Sequence, residues 1–277
     1  MKKFLTVILA LALTAVLLPS CKNQEKKNNK GNVLTKNETE MSQAEKFAVE
    51  DLKVNLGNLL ESLKKMKNVP FVSEKNGTIV LSDKEKMVKP TYLADPSYVK
   101  DLATLTQKYR AAAILTIDRI VADMYEMPVA EFDEALAKLN IDINDPALKE
   151  FSDKIKANED AGEVISQFCD AEYNAGRANL FWEAVAASLV EQVYVCSQNV
   201  DKFMPMFTDE SAAEVTYNFV CVQEGIKSLF EFYPEMKSLN EILEPLYVIN
   251  AISVDQLRTQ LIELKGEIEV VRAVLAR

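Results

Sequence analysis

Along most of the chain apolar residues return every three or four positions, the repeat of one face of an α-helix. Leu52, Leu56, Leu59, Leu60, Leu63 and Met66 follow this spacing and predict an amphipathic helix over 43–67. The period then changes. Val69 to Val72 and Thr78 to Leu81 flank Asn76-Gly77, a pair that accepts positive φ, so a small hairpin or extended excursion is expected near 69–81. Asp95-Pro96 reads as an N-cap followed by proline at the first helical position, and the helix it opens should run to about Tyr125, before Met127-Pro128. A short helix over 129–139 follows. Asp145-Pro146 repeats the cap signal for another over 146–158.

From Gly162 to Ser197 the chain is at its most apolar, with a break expected at Gly176. Leu180, Phe181, Trp182, Val185, Leu189, Val190 and Val193 there point in most directions, as do Ile114, Leu115, Ile117, Ile120 and Val121 earlier. Helices apolar all round belong at the centre of a bundle. A helix over 209–232 stops at Pro234. The next opens with Ser238 and Glu241, a capping-box spacing, and Pro245 should bend or shorten it. The last begins with Ser253 and Gln256 and carries Leu257, Leu261, Leu264, Ile268, Val271 and Leu275 at alternating steps of four and three. That seam either packs on a neighbouring helix of the same chain or joins two copies in a helix-mediated dimer through 253–276. The expected fold is all-α: a single multi-helix bundle of about eight helices over 43–277. Seven glycines in 277 residues agree with it, because sheet-rich folds need more turn residues.

The first twenty residues depart from this pattern. Lys2 and Lys3 precede an uncharged run from Phe4 to Leu18, and Pro19-Ser20-Cys21 close it. The run is shorter than the roughly 20 apolar residues that span a bilayer, and its positive start and small residue before Cys21 suit a cleaved export signal over 1–20. Leu18-Pro19-Ser20-Cys21 resembles the lipobox of bacterial lipoproteins. The resemblance implies that Cys21 is the lipidation site, that the chain is cut just before it, and that acylated Cys21 is the partner of the lipid bilayer. Lys22 stands where an inner-membrane retention signal would place aspartate, which implies the outer membrane; the absence of an acidic tract after Cys21 favours its periplasmic face. Residues 21–42 read as a flexible tether, since Cys21 to Asn37 hold five lysines, one acid and few large apolar residues.

The chain carries a formal net charge of −10, and the basic tether leaves the acidic excess on the helical body. That argues against nucleic acid as a partner. No histidine occurs, so Ser-His-Asp and Cys-His catalysis are excluded, together with most catalytic zinc sites. Glycine-rich phosphate loops and GxSxG are absent too. No catalytic residue, metal ligand or cofactor is therefore assigned. Cys169, Cys196 and Cys221 lie in apolar helical patterns and lack CxxC spacing, so buried free thiols are expected, with at most one bridge among them.

The most pointed polar position is Asp118, flanked by Ile114, Val121 and Tyr125 on one helical face. A carboxylate in such surroundings needs a partner. Arg177 is the candidate, either as a structural pair that registers two inner helices or as the floor of a pocket lined by Tyr125, Tyr173 and Trp182. Lys89-Pro90-Thr91-Tyr92-Leu93, the Asp118 helix and the last helix with Leu264, Ile268 and Arg272 are similar to all-helical Bacteroidota lipoproteins of unknown function, a resemblance that implies no activity. The expectation is a non-enzymatic, membrane-anchored binding or scaffolding module for an envelope protein. Two alternatives remain: a small-molecule or peptide binding protein with an interhelical pocket, and a carboxylate-dependent hydrolase.

Overall fold

A computed structural model of the chain describes Leu34, residues 40–65, 81–150 and 161–277. The signal, most of the tether and nearly all of the expected 69–81 excursion lie outside these residues. What is described is all-α: eleven α-helices and three 3-10 turns with both ends among the described residues, and no strand among them. The chain order is α1 (Gln43–Lys65), α2 (Asp83–Lys86), α3 (Leu105–Met124), α4 (Ala130–Ile143), α5 (Ala161–Asn174), α6 (Ala178–Gln198), α7 (Val200–Phe203), α8 (Asp209–Ser228), α9 (Met236–Leu243), α10 (Val254–Glu263) and α11 (Lys265–Leu275). A further helix begins at residue 146.

The count exceeds eight because several expected helices are cut by local chemistry. Asp95 does cap a turn, accepting from the Ser97 N–H, but Pro96–Asp101 is a 3-10 turn. The long helix starts afresh at Thr104, whose side chain and Gln107 form a reciprocal capping box. Its far end is closed by Glu126 in the left-handed region at φ 52°, and the Lys89 ammonium donates to the Tyr125 carbonyl there. Gly176 at φ 70° makes the sharp joint between α5 and α6. Pro245 converts the end of α9 into the 3-10 turn Glu244–Leu246. The expected capping box at Ser238 does not form, because α9 starts at Met236 and Ser238 falls inside it. The last helix breaks at Leu264, with φ −92° and ψ 6°.

α6 is the hub. It packs on α3 most extensively, and also on α11, α8, α5 and α10, while α1 lies on α8 and α5. The two helices read as apolar all round are the buried centre: Ile114, Leu115, Ile117 and Val121 of α3 and Leu180, Trp182, Val185 and Val190 of α6 are at most 5% exposed. Buried alanines on both, Ala111 to Ala113 and Ala184, Ala186 and Ala187, let the backbones approach. Arg110 pairs with Glu183, and Arg272 reaches both Asp118 and Glu191. Both steps are eight residues along their helices, so α3 and α6 run parallel, with these contacts about 12 Å apart along the axis. The seam of the last two helices is used internally: Leu257, Leu261, Ile268, Val271 and Leu275 are buried within the chain, covered mainly by α6.

Candidate functional site

The polar chemistry of the core is concentrated where α3 and α6 meet, in three clusters. At the first, Asp118 of α3 and Glu191 of α6 are both fully buried and share one cation. Arg272 reaches in from α11 as a fork, Nε donating to Glu191 Oε2 at 2.9 Å and Nη2 to Oε1 at 3.2 Å. Its Nη2 lies 3.6 Å from Asp118 Oδ2, which accepts from the Ala94 N–H at 2.7 Å. The guanidinium sits 4.8 Å from the Tyr194 ring centroid, Tyr194 meets Tyr92 edge-on, and its hydroxyl donates to the Tyr92 carbonyl. Burial, then the Glu191 charge, pushes the Asp118 carboxyl well above the usual carboxylate range, against the Ala94 N–H and Arg272. Burial also raises Glu191, and Arg272 opposes it.

The second cluster joins the start of α6 to the end of α5 and the residue before the 146 helix. Arg177 Nη2 donates to Asp145 Oδ2 at 2.5 Å, and its Nε and Nη2 to Glu172 at 3.0 and 3.2 Å. Asp145 also accepts from the Tyr109 hydroxyl at 2.7 Å and from the Ala147 N–H at 2.9 Å. Burial pushes Glu172 up to about 7, with Arg177 opposing and Asp145 adding to the rise. Burial works on Asp145 too, but hydrogen bonds with Glu172 and Tyr109 and the Arg177 charge together hold it below its ordinary value. The third tie is the single pair Arg110–Glu183 at 2.6 Å, with side chains 13% and 3% exposed; burial raises Glu183 and Arg110 opposes the rise.

This geometry corrects the expected pairing. Asp118 takes its cation from Arg272, whereas Arg177 belongs to Asp145 and Glu172. Asp118 and Arg177 thus sit in different clusters. Tyr173 and Trp182 line no common floor with Asp118. Trp182 is enclosed, edge-on to Phe181 at 5.4 Å and so close to Gly225 that a Cβ there would lie 2.4–2.5 Å from three of its ring atoms. Tyr173 has the Lys53 ammonium 5.7 Å from its ring centroid. Tyr125 accepts from Lys202 Nζ at 2.9 Å through its hydroxyl. A small cavity at the meeting of α6, α8 and α10, lined by Leu189, Gln192, Val193, Cys196, Phe207, Val215, Leu257 and Leu261 and apolar at its surface, contains none of Asp118, Arg177, Tyr125, Tyr173 and Trp182.

Glu191, Glu183 and Glu172 were not singled out from the sequence. For Glu183 and Glu191 the signal is an isolated acid inside an apolar helical run, the same signal that marks Asp118; Glu172, with Asp170 two positions before it, carries no such mark. Cys169, Cys196 and Cys221 are buried free thiols, and burial raises all three. Among the described residues no group of three or more metal-ligating side chains comes together. No helix among them is long and apolar enough to cross a membrane. Chemically, the clusters can store protons and fix helix register. No family model, curated protein or solved structure matches the chain.

Proposed function

We propose that this chain is a lipoprotein of the bacterial outer membrane, held on its periplasmic face by lipid on Cys21, with the helical body acting as a binding or scaffolding module. The observation that carries the reading is the order Lys2-Lys3, apolar run, Leu18-Pro19-Ser20-Cys21. A thioether-linked diacylglycerol with a further acyl chain on the new amino terminus would hold the protein firmly, since each buried methylene is worth ~0.8 kcal/mol and several chains act together. Five lysines between Cys21 and Asn37 favour anionic head groups beside that anchor, at about 1 kcal/mol each when close to the surface. The body fits a module carried above a membrane: its apolar faces are turned onto one another around α6, and its central acids are committed to ion pairs within the core.

The experiment is fractionation of the full chain and of Cys21→Ala, expressed in a Gram-negative host. The wild-type chain should sediment with outer membranes and enter the detergent phase on partitioning. The variant should leave that fraction. Equal recovery of both in the aqueous phase would remove the reading.

A further inference from the structure

The Asp118–Glu191–Arg272 cluster has two acids and one base, none of it at the surface except a sixth of the arginine side chain. Both acids crowd one guanidinium: Arg272 Nη2 lies 3.2 Å from Glu191 Oε1 and 3.6 Å from Asp118 Oδ2, so two buried carboxyl groups share a single positive charge. Asp118 Oδ1 receives no donor from the protein. Arg272 satisfies both oxygens of Glu191, and the Ala94 N–H satisfies Asp118 Oδ2. A single proton carried by Asp118 accounts for the oxygen that receives no donor and for the uncompensated negative charge together.

We infer that Asp118 and Glu191 form a one-proton site whose occupancy latches the 90–95 segment and the C-terminal helix α11 onto the central α3–α6 pair. The latch has four arms: Ala94 from the segment before the 3-10 turn, Asp118 from α3, Glu191 from α6 and Arg272 from α11. The other titratable groups facing it are Tyr92 from that segment, Tyr98 from the 3-10 turn, and Tyr194 from α6, with Glu269 of α11 acting on Tyr194. Burial raises all three tyrosines, so they stay neutral while the acid pair titrates, and Arg272 acts on Tyr98, Tyr194 and both acids. In the unfolded chain Asp118 is an ordinary carboxylic acid that gives up its proton in the acid range. Folding therefore takes up one proton at neutral pH, and alkali opposes the latch. The proposal does not depend on where the protein resides.

Two substitutions separate this from an ordinary ion pair. The Asp118→Asn amide reproduces the protonated acid, with its oxygen placed for Ala94 and its NH2 in the position of the orphaned oxygen, and needs no proton. Glu191→Gln turns an NH2 against the Arg272 fork. Chemical denaturation of the full-length chain across pH should give Asp118→Asn a folding constant near wild type in the acid range. Relative to wild type it should then climb about tenfold per pH unit as pH rises, until wild type itself loses the proton. Glu191→Gln should be weaker than wild type at neutral pH. Infrared spectra of wild type at neutral pH should contain a protonated-carboxyl carbonyl band that Asp118→Asn removes. An Asp118→Asn chain that fails to fold, or is destabilised at neutral pH, overturns the proposal. So does a carbonyl region that the substitution leaves unchanged.

Discussion

The Arg110–Glu183 tie permits the sharpest energetic test of the buried clusters. Arg110→Met deletes the one cation that, among the described residues, pairs with Glu183, a carboxylate that is 3% exposed. Leaving that charge bare in the interior would cost several kcal/mol, but Glu183 can escape by taking up a proton. The price of that escape sets the ceiling: lifting a proton onto an ordinary glutamate at about pH 7 spans some 2.7 pH units, or ~4 kcal/mol. At about pH 5 the same step costs only ~1 kcal/mol. The loss from Arg110→Met should therefore be large at neutral pH and shrink on acidification. Replacing both partners, Arg110→Met with Glu183→Met, removes the stranded charge and should return stability to within about 1 kcal/mol of wild type. Arg119–Asp133 supplies the control: at 2.5 Å it is as short, but its side chains are 29% and 41% exposed, so Arg119→Met should cost less than about 1 kcal/mol. Denaturant titrations followed by circular dichroism at the two pH values measure all three variants. A neutral-pH loss below about 1 kcal/mol for Arg110→Met, a loss independent of pH, or a double variant no better than the single one would refute the reasoning.

Gly225→Ala should destabilise by about 1–3 kcal/mol despite the better helix propensity of alanine, because the new methyl overlaps a buried indole that cannot move. Gly57→Ala, where nothing lies within 4 Å of the added carbon, should instead stabilise by about 0.5–1 kcal/mol, and thermal melts compare the two. For Glu172, held at about 7 when folded against 4.5 as its ordinary value, the folded form keeps a proton that the unfolded chain has released between those values. Its contribution is complete below the lower value and is lost as pH rises through the higher one. Glu172→Gln, whatever it costs in absolute stability, should flatten that part of the stability-against-pH curve, and an unchanged slope would speak against a protonated Glu172.

The central helices were legible because periodicity fails in a recognisable way when a helix is buried all round, as at Ile114 to Val121 and Leu180 to Val193. The break at Gly176 and the shortening at Pro245 were legible for local stereochemical reasons. The start of α3 was not, although Thr104 and Gln107 carry a capping box in plain view, because Asp95-Pro96 offers an equally good cap nine residues earlier. Asp118 stood out as a buried acid in need of a partner. Its partner did not, since Arg272 lies 154 positions away and reaches the site only through the packing of α11 on α6. Arg177 was closer in sequence and was claimed instead by Asp145 and Glu172, the first of which had been read as a cap alone. It is that cap, through Ala147, and an ion-pair acid as well. Spacing within a helix can be read from a sequence, whereas contact between helices depends on how the whole bundle closes.

The most direct test of the account is mass spectrometry of the amino-terminal peptide from the native, membrane-derived protein. The account predicts a chain beginning at Cys21, with diacylglycerol joined to its sulfur and an acyl group on its nitrogen. A chain still carrying residues 1–20, or a Cys21 with a free thiol, would contradict it.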